Sequence, residues 1–147
     1  MPRAFLTGMS GFQAQLAARR LPGLAGKVGR RRAVARRYSA WLAAHGRTAA
    51  HEPSFAGHAF LRYPLRVRDR EWFVAEARRR GVLLGDWFQS PLYPAGDLAA
   101  WQYHAGQCPV SERVASEIVN LPTDVAPDGR VVRAVEQLLE DSVDRIL

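Results

Sequence analysis

The spacing of the apolar residues constrains this fold most, because it changes from a helical period to a strand period along the chain. Residues 22–44 carry apolar side chains at i, i+4, i+7 and i+8, namely Val34, Tyr38, Trp41 and Leu42. This spacing predicts one apolar face on a helix that stops at Gly46. Residues 58–67 alternate instead, as a half-buried strand does, and Pro64 within them favours an edge or bulged strand.

Helices and strands are expected to alternate after this first strand. Asp69 can cap a helix that runs to Arg80 and ends at Gly81. A second apolar run covers residues 82–88, a helix follows at 109–117, and a third strand covers 118–121. The last helix begins near Asp128, and its predicted apolar face consists of Val131, Val135, Leu138, Leu139, Ser142 and Ile146.

A further helix is predicted to begin at Ser10, ahead of the helix at residues 22–44. The expected fold class is therefore α+β. It consists of a small mixed or antiparallel three-stranded sheet packed with helices, preceded by long N-terminal helices.

The charge is unevenly distributed. Residues 1–80 hold 17 of the 21 basic residues but only 4 of the 14 acidic ones. Such asymmetry is typical of a surface for nucleic acid, for an anionic surface or for a missing protein partner. An Arg-rich nucleic-acid or anionic-surface binding module is thus the alternative interpretation. Against it, the arginines of residues 30–37 spread around more than half of the helix, and no recognised nucleic-acid-binding motif is present.

Nothing in the sequence predicts a membrane or secreted protein. No apolar run approaches the roughly 20 residues that cross a bilayer, and residues 1–6 lack the apolar stretch of a secretory signal. Cys108 is the only cysteine, so an internal disulfide cannot form. We therefore expect a cytoplasmic protein.

Four segments, in order, resemble one known family. They are MSGFQAQLA (residues 9–17), RRRAVARRYSAWL (30–42), RGVLLGDWFQSPLYP (80–94) and CPVSERVASEIVNLP (108–122). The chain resembles the C-terminal part of the DegT/DnrJ/StrS-type nucleotide-sugar aminotransferases, which are fold-type-I pyridoxal phosphate enzymes. The resemblance implies that residues 1–46 are a helical region that bridges to a cofactor domain. Residues 47–147 would then form the small α+β C-terminal domain.

The same resemblance implies an activity and a cofactor. The family transfers an amino group from an amino acid to a keto-sugar nucleotide, with pyridoxal phosphate held by a lysine of the large domain. Lys27 is the only lysine here, and its context GLAGKVGRRR does not match that of the family's lysine. We therefore expect no catalytic residue in this chain and no pyridoxal phosphate binding by the chain alone. The implied partner is a pyridoxal-phosphate-carrying N-terminal domain or partner chain, and a homodimer is compatible with this.

Two positions depart from the family pattern. Leu6 and Gly8 stand where the family carries an Asn and an Arg that reach a cofactor phosphate. Ser10 remains the candidate cofactor-binding residue, because backbone amides near the start of a helix favour an anion. The alternative interpretation is that Ser10 only caps the helix. Tyr93 replaces the family's His after Pro-Leu. It is the candidate substrate-binding residue, with packing on neighbouring prolines as the structural interpretation.

A self-contained enzyme is the least supported interpretation. The four histidines, His45, His51, His58 and His104, lack the spacing of a metal site, and no serine lies in a nucleophile elbow. Asp86 between Gly85 and Trp87 is either a desolvated carboxylate or a turn cap. We predict no metal site. A small domain without the cofactor lysine is expected both in a split enzyme, whose cofactor domain is encoded separately, and in a truncated gene product.

Overall fold

The N-terminal helices lie where the sequence predicts them. The computed structural model describes residues 8–50, 57–85, 87–93 and 98–147. Helix α1 spans Gly11–Arg20, a 3-10 turn follows at Leu21–Gly23, and α2 spans Leu24–Ala44. Pro22 lies at the start of the turn. Proline is tolerated there because the first N–H groups of a helix have no intrahelical acceptor.

Helix α2 is buried only in its second half. Val34, Ala35, Tyr38 and Leu42 are fully buried, whereas the helix is exposed up to Lys27. The Tyr38 hydroxyl donates to the Pro122 carbonyl oxygen at 3.0 Å. The second half of α2 therefore belongs to the core of the α+β body.

The sheet has two strands among the described residues, not the three that were predicted. Strand β1 (Tyr63–Arg66) pairs antiparallel with β2 (Ile118–Leu121). Of the apolar run at residues 82–88, only Gly85 bridges to β2, through its N–H to the Asn120 carbonyl at 2.8 Å. The backbone cannot continue as a strand there, because Phe88 adopts a left-handed φ of 68°. The α+β class is confirmed.

Strand β1 is shorter than the predicted residues 58–67. Phe60 has a φ of 46°, which interrupts the extended backbone before the strand. The Thr123 hydroxyl lies 2.6 Å from the Phe60 carbonyl oxygen and 3.1 Å from that of Leu61. This contact fixes a bend where the alternating pattern predicted a strand.

The remaining helices enclose the sheet. Helix α3 spans Arg70–Arg79, with the Asp69 carboxylate accepting from the Trp72 N–H, and Gly81 follows it at φ 72°. Helix α4 (Pro109–Glu117) leads directly into β2, and α5 (Arg130–Glu140) precedes a 3-10 turn at Val143–Arg145. Helix α5 contacts both α2 and α3. Its buried face contains Val132 rather than the predicted Val131, together with Val135, Leu138 and Leu139.

Part of the charge asymmetry is neutralised within the body. Arg37 of α2 forms two hydrogen bonds to the Glu136 carboxylate, at 2.9 and 2.8 Å, and donates to the Pro127 carbonyl oxygen at 2.9 Å. Arg31 binds Asp124 at 3.1 Å. The basic first half and the acidic second half of the chain therefore bind each other across the α2–α5 contact.

Replacing Arg37 with Ala should lower the free energy of unfolding by about 1–2 kcal/mol, because a two-bond guanidinium–carboxylate contact that is partly shielded from water is lost. Arg37→Lys should restore less than half of this, since lysine lacks the planar fork. Urea denaturation measures both. The control is Arg113→Ala, whose exposed side chain has no ion-pair partner among the described residues. A loss no larger than the control's would contradict the contact's importance.

Candidate functional site

Ser10 acts as the cap of helix α1. Its Oγ accepts a hydrogen bond from the Gln13 N–H at 3.3 Å, and its own N–H donates to Gln13 Oε1 at 2.9 Å. This reciprocal capping box satisfies two backbone donors at the helix start. A role for Ser10 in cofactor binding stays a prediction. Gly8 is exposed beside it, and Leu6 lies outside the described residues.

Lys27 lies on an open surface. It is exposed on the first half of α2 and has no ion pair among the described residues. A Cβ atom added at Gly23 or Gly29 would meet no atom within 4 Å, and one at Gly26 would meet only Arg30 Nη1, at 3.9 Å, so the described residues leave the helix surface beside Lys27 open. A lysine that forms a Schiff base needs burial or nearby cations that hold it as a free amine, and a cradle for the cofactor phosphate. The residues around Lys27 do not fit pyridoxal phosphate.

Tyr93 contributes to an aromatic pocket on the α+β body. Trp87, Phe88 and Tyr93 line an open space of about 350 Å³. Tyr93 is 77% exposed, and the other two rings are also exposed. Phe88 holds its left-handed φ here, a strain of about 1–3 kcal/mol that other contacts must offset. Exposed aromatic rings in a strained loop are typical of a binding surface.

Asn120 of β2 positions this loop. It is buried, its side-chain amide donates to the Trp87 carbonyl oxygen at 2.9 Å, and its own carbonyl accepts from Gly85. A Cβ on Gly85 would lie 3.0 Å from the Asn120 Cβ and 3.2 Å from Arg62 Nε. Gly85 therefore permits the close approach of the loop to β2 and to Arg62.

A second space adjoins the aromatic pocket. Its volume is about 280 Å³, and Arg62, His58, Trp87 and Phe88 are among its lining residues. Trp87 and Phe88 line both spaces, so these two rings lie between the two pockets. The combined surface offers aromatic faces beside one guanidinium group.

A tyrosine–glutamate contact fixes the chain ahead of α4. The Tyr103 hydroxyl donates to Glu112 Oε1 at 2.7 Å, and the Gly106 N–H donates to the same oxygen at 2.8 Å. The hydrogen bond that the Tyr103 hydroxyl donates to Glu112 raises the pKa of Tyr103 to about 12, and the same bond lowers the pKa of Glu112. Both shifts follow from this contact, so they do not indicate a catalytic pair.

His45 and His58 contact nearby backbone groups, whereas His104 is exposed. His45 Nδ1 is 2.8 Å from the Trp41 carbonyl oxygen, and His58 Nδ1 accepts from the Phe60 N–H at 2.9 Å. His51 and Asp86 are outside the part of the chain that the structure describes. Within that part, no three His, Cys, Asp or Glu residues are grouped as metal ligands.

The structure separates the two predicted site residues. Ser10 begins an exposed helix, whereas Tyr93 lines a pocket of the body with Trp87 and Phe88. Sequence reasoning did not identify Asn120 or Arg62 as parts of this surface. The adjacent residues Trp87 and Phe88 were the available indication of this surface, because two large aromatic residues in a loop are exposed when they have no core position to occupy.

Comparison with known proteins identifies a single family. The sequence model of the DegT/DnrJ/EryC1/StrS aminotransferase family matches residues 4–139, which include both the N-terminal helices and the α+β body. No curated protein sequence matches the chain significantly. Among the described residues, no helix combines the length and apolar character needed to span a membrane.

Proposed function

Because the chain belongs to the DegT/DnrJ/EryC1/StrS aminotransferase family, we propose that it supplies the small domain of a pyridoxal-phosphate-dependent aminotransferase. The cofactor lysine lies on a separate cofactor domain, meaning the lysine-bearing large domain of this family. The openness of the surface around Lys27 carries this proposal, since the chain's only lysine has neither burial nor neighbours that fit the cofactor. The cytoplasm is the proposed compartment.

The proposed division of labour follows the two parts of the chain. Residues 1–46 connect to the cofactor domain, and residues 47–147 form the small domain. The buried second half of α2 supports a firm connection, because Val34, Tyr38 and Leu42 fasten the helix to the body. In the assembled enzyme, the amides around Ser10 would add to the binding of the cofactor phosphate.

The aromatic pocket is the proposed substrate surface of this domain. Trp87, Phe88 and Tyr93 present ring faces of the kind that pack against a sugar ring or a nucleobase. Arg62 in the adjoining space suits the phosphates of a keto-sugar nucleotide. The amino donor is an amino acid. The small domain would thus hold and orient the acceptor while the cofactor domain supplies the chemistry.

Reconstitution in trans tests the proposal. The purified chain is mixed with a cofactor domain of this family encoded in the same genome, with pyridoxal phosphate, an amino acid and a keto-sugar nucleotide. Mass spectrometry should detect the amino sugar only when both proteins are present. Lys27→Ala should leave the product yield unchanged, whereas alanine at the cofactor domain's own lysine should abolish it. An inactive mixture, or product from the chain alone, would contradict the proposal.

A further inference from the structure

Arg62 is a half-buried cation without a counter-charge. Its guanidinium group forms neither an ion pair nor a hydrogen bond with any other residue in the part of the chain that the structure describes. Other half-buried arginines of the body are paired, since Arg37 binds Glu136 and Arg80 binds Glu76. A charge that is partly removed from water is unfavourable without a partner. The position of Arg62 in a pocket therefore indicates a site for an anion.

The backbone on both sides of Arg62 is fixed. Before it, the fully buried Thr123 hydroxyl lies 2.6 Å from the Phe60 carbonyl oxygen and 3.1 Å from that of Leu61. After it, Tyr63 begins β1, which pairs with β2. The place of the guanidinium group is therefore decided by the Arg62 side chain and by the surface against which that side chain packs.

Gly85 forms part of that packing surface. A Cβ atom on Gly85 would lie 3.2 Å from Arg62 Nε and 3.5 Å from Arg62 Cδ. The missing side chain thus lets Arg62 lie against the backbone of the loop that carries Trp87 and Phe88. The φ of Gly85 is not positive, so its backbone would accept an alanine. Close approach, rather than backbone conformation, requires a glycine at this position.

An added Cβ at Gly85 would displace Arg62 more readily than β2. The same Cβ would also lie 3.0 Å from Asn120 Cβ. Asn120 is buried in β2, its carbonyl oxygen accepts from the Gly85 N–H at 2.8 Å, and its side-chain amide donates to the Trp87 carbonyl oxygen at 2.9 Å. The Arg62 side chain has no such bonds. Because overpacked contacts relax through the most flexible group, the guanidinium would move.

We infer that Gly85 is a positioning residue, which sets the place of the Arg62 guanidinium relative to the rings of Trp87 and Phe88. This inference rests on the proposed function and names the recognised part of the acceptor as a nucleoside diphosphate. The base packs on the aromatic rings, and a phosphate pairs with the guanidinium group. A side chain at Gly85 keeps the contact to the base but removes the contact to the phosphate.

Titration calorimetry of the full chain with UDP, GDP and dTDP, each compared with its own nucleoside, tests the inference. The diphosphate that binds most tightly should bind about tenfold or more better than its nucleoside, because only the diphosphate contacts Arg62. Gly85→Ala should weaken binding of the diphosphate about tenfold and change binding of the nucleoside less than about threefold. Gly29→Ala is the matched control and should bind like the wild type, since its Cβ would meet no atom within 4 Å.

Arg62→Gln shows whether Gly85 acts through Arg62. It should weaken binding of the diphosphate about as much as Gly85→Ala does, and the double variant should bind within about twofold of Arg62→Gln.

The outcomes separate this inference from the proposed function. Additive losses in the double variant, equal losses for diphosphate and nucleoside in Gly85→Ala, or an Arg62→Gln chain that keeps its preference for the diphosphate would overturn the inference and leave the proposed function standing. A folded wild-type chain that binds no diphosphate would overturn the inference together with the proposed substrate surface. Normal diphosphate binding combined with failed reconstitution would contradict the proposed function alone.

Discussion

Replacing Tyr38 with alanine is expected to lower the free energy of unfolding by about 3–5 kcal/mol. Tyr38 is fully buried at the contact of α2 with the body. Its ring packs edge-on against Tyr63 with centroids 5.6 Å apart, and its hydroxyl donates to the Pro122 carbonyl oxygen. Alanine would leave a cavity and an unpaired buried carbonyl. Urea denaturation followed by circular dichroism measures the change.

Tyr38→Phe separates the ring from the hydroxyl. It should cost only about 1 kcal/mol, because the packing remains and a single hydrogen bond is lost. Burial raises the pKa of Tyr38 well above its ordinary value of about 10. The folded state therefore favours the protonated phenol, and stability from this group is present below about pH 10 and is lost as the pH rises above it. Tyr38→Phe should remove that alkaline loss. A Tyr38→Ala effect below about 1 kcal/mol would contradict the packing.

Elements with a strong apolar period could be predicted from the sequence. The face of α2, with Val34, Tyr38 and Leu42, is confirmed because these residues repeat at helical spacing and all fit one buried side. Strand β2 and helix α3 are confirmed because local signals mark their ends, namely the proline after β2 and the aspartate cap of α3. Local chemistry decides such boundaries, so one sequence is sufficient to place them.

Features that depend on distant contacts could not be predicted. The run at residues 82–88 is apolar enough for a strand, but Asn120 of β2 holds the segment as a loop. Its backbone carbonyl accepts from the Gly85 N–H, and its side-chain amide donates to the Trp87 carbonyl oxygen. The predicted α5 face is confirmed except at its first residue, where Val132 is buried and Val131 only half-buried, because three-dimensional packing selects which of two adjacent valines points inward. Neither the loop at residues 82–88 nor the burial of Val132 is indicated by the residues next to it in the sequence.

The candidate site was predictable only in part. Tyr93 was singled out through the family resemblance, and the structure places it with two further aromatic residues. The pairing of Arg37 with Glu136, 99 residues later, had no local signal. The positive charge of the first half therefore includes arginines that hold the body together, such as Arg37, and cations of the N-terminal helices, such as Arg19, that have no ion-pair partner among the described residues.

We propose that this chain belongs to a pyridoxal phosphate enzyme but does not itself hold the cofactor. Two observations support it: the family match over residues 4–139, and the open surface around the only lysine. The first gives the aminotransferase family, and the second supports the proposal that the cofactor lysine lies on another domain.

Adding pyridoxal phosphate to the purified chain tests this claim most directly. We expect no visible absorbance band of lysine-bound cofactor in the wild type or in Lys27→Ala, because an exposed lysine without a cradle for the cofactor phosphate does not retain the aldehyde. A cofactor domain of the family, treated in parallel, should develop the band and serves as the positive control. A stoichiometric band in the wild-type chain that disappears in Lys27→Ala would contradict the claim and assign cofactor binding to this chain.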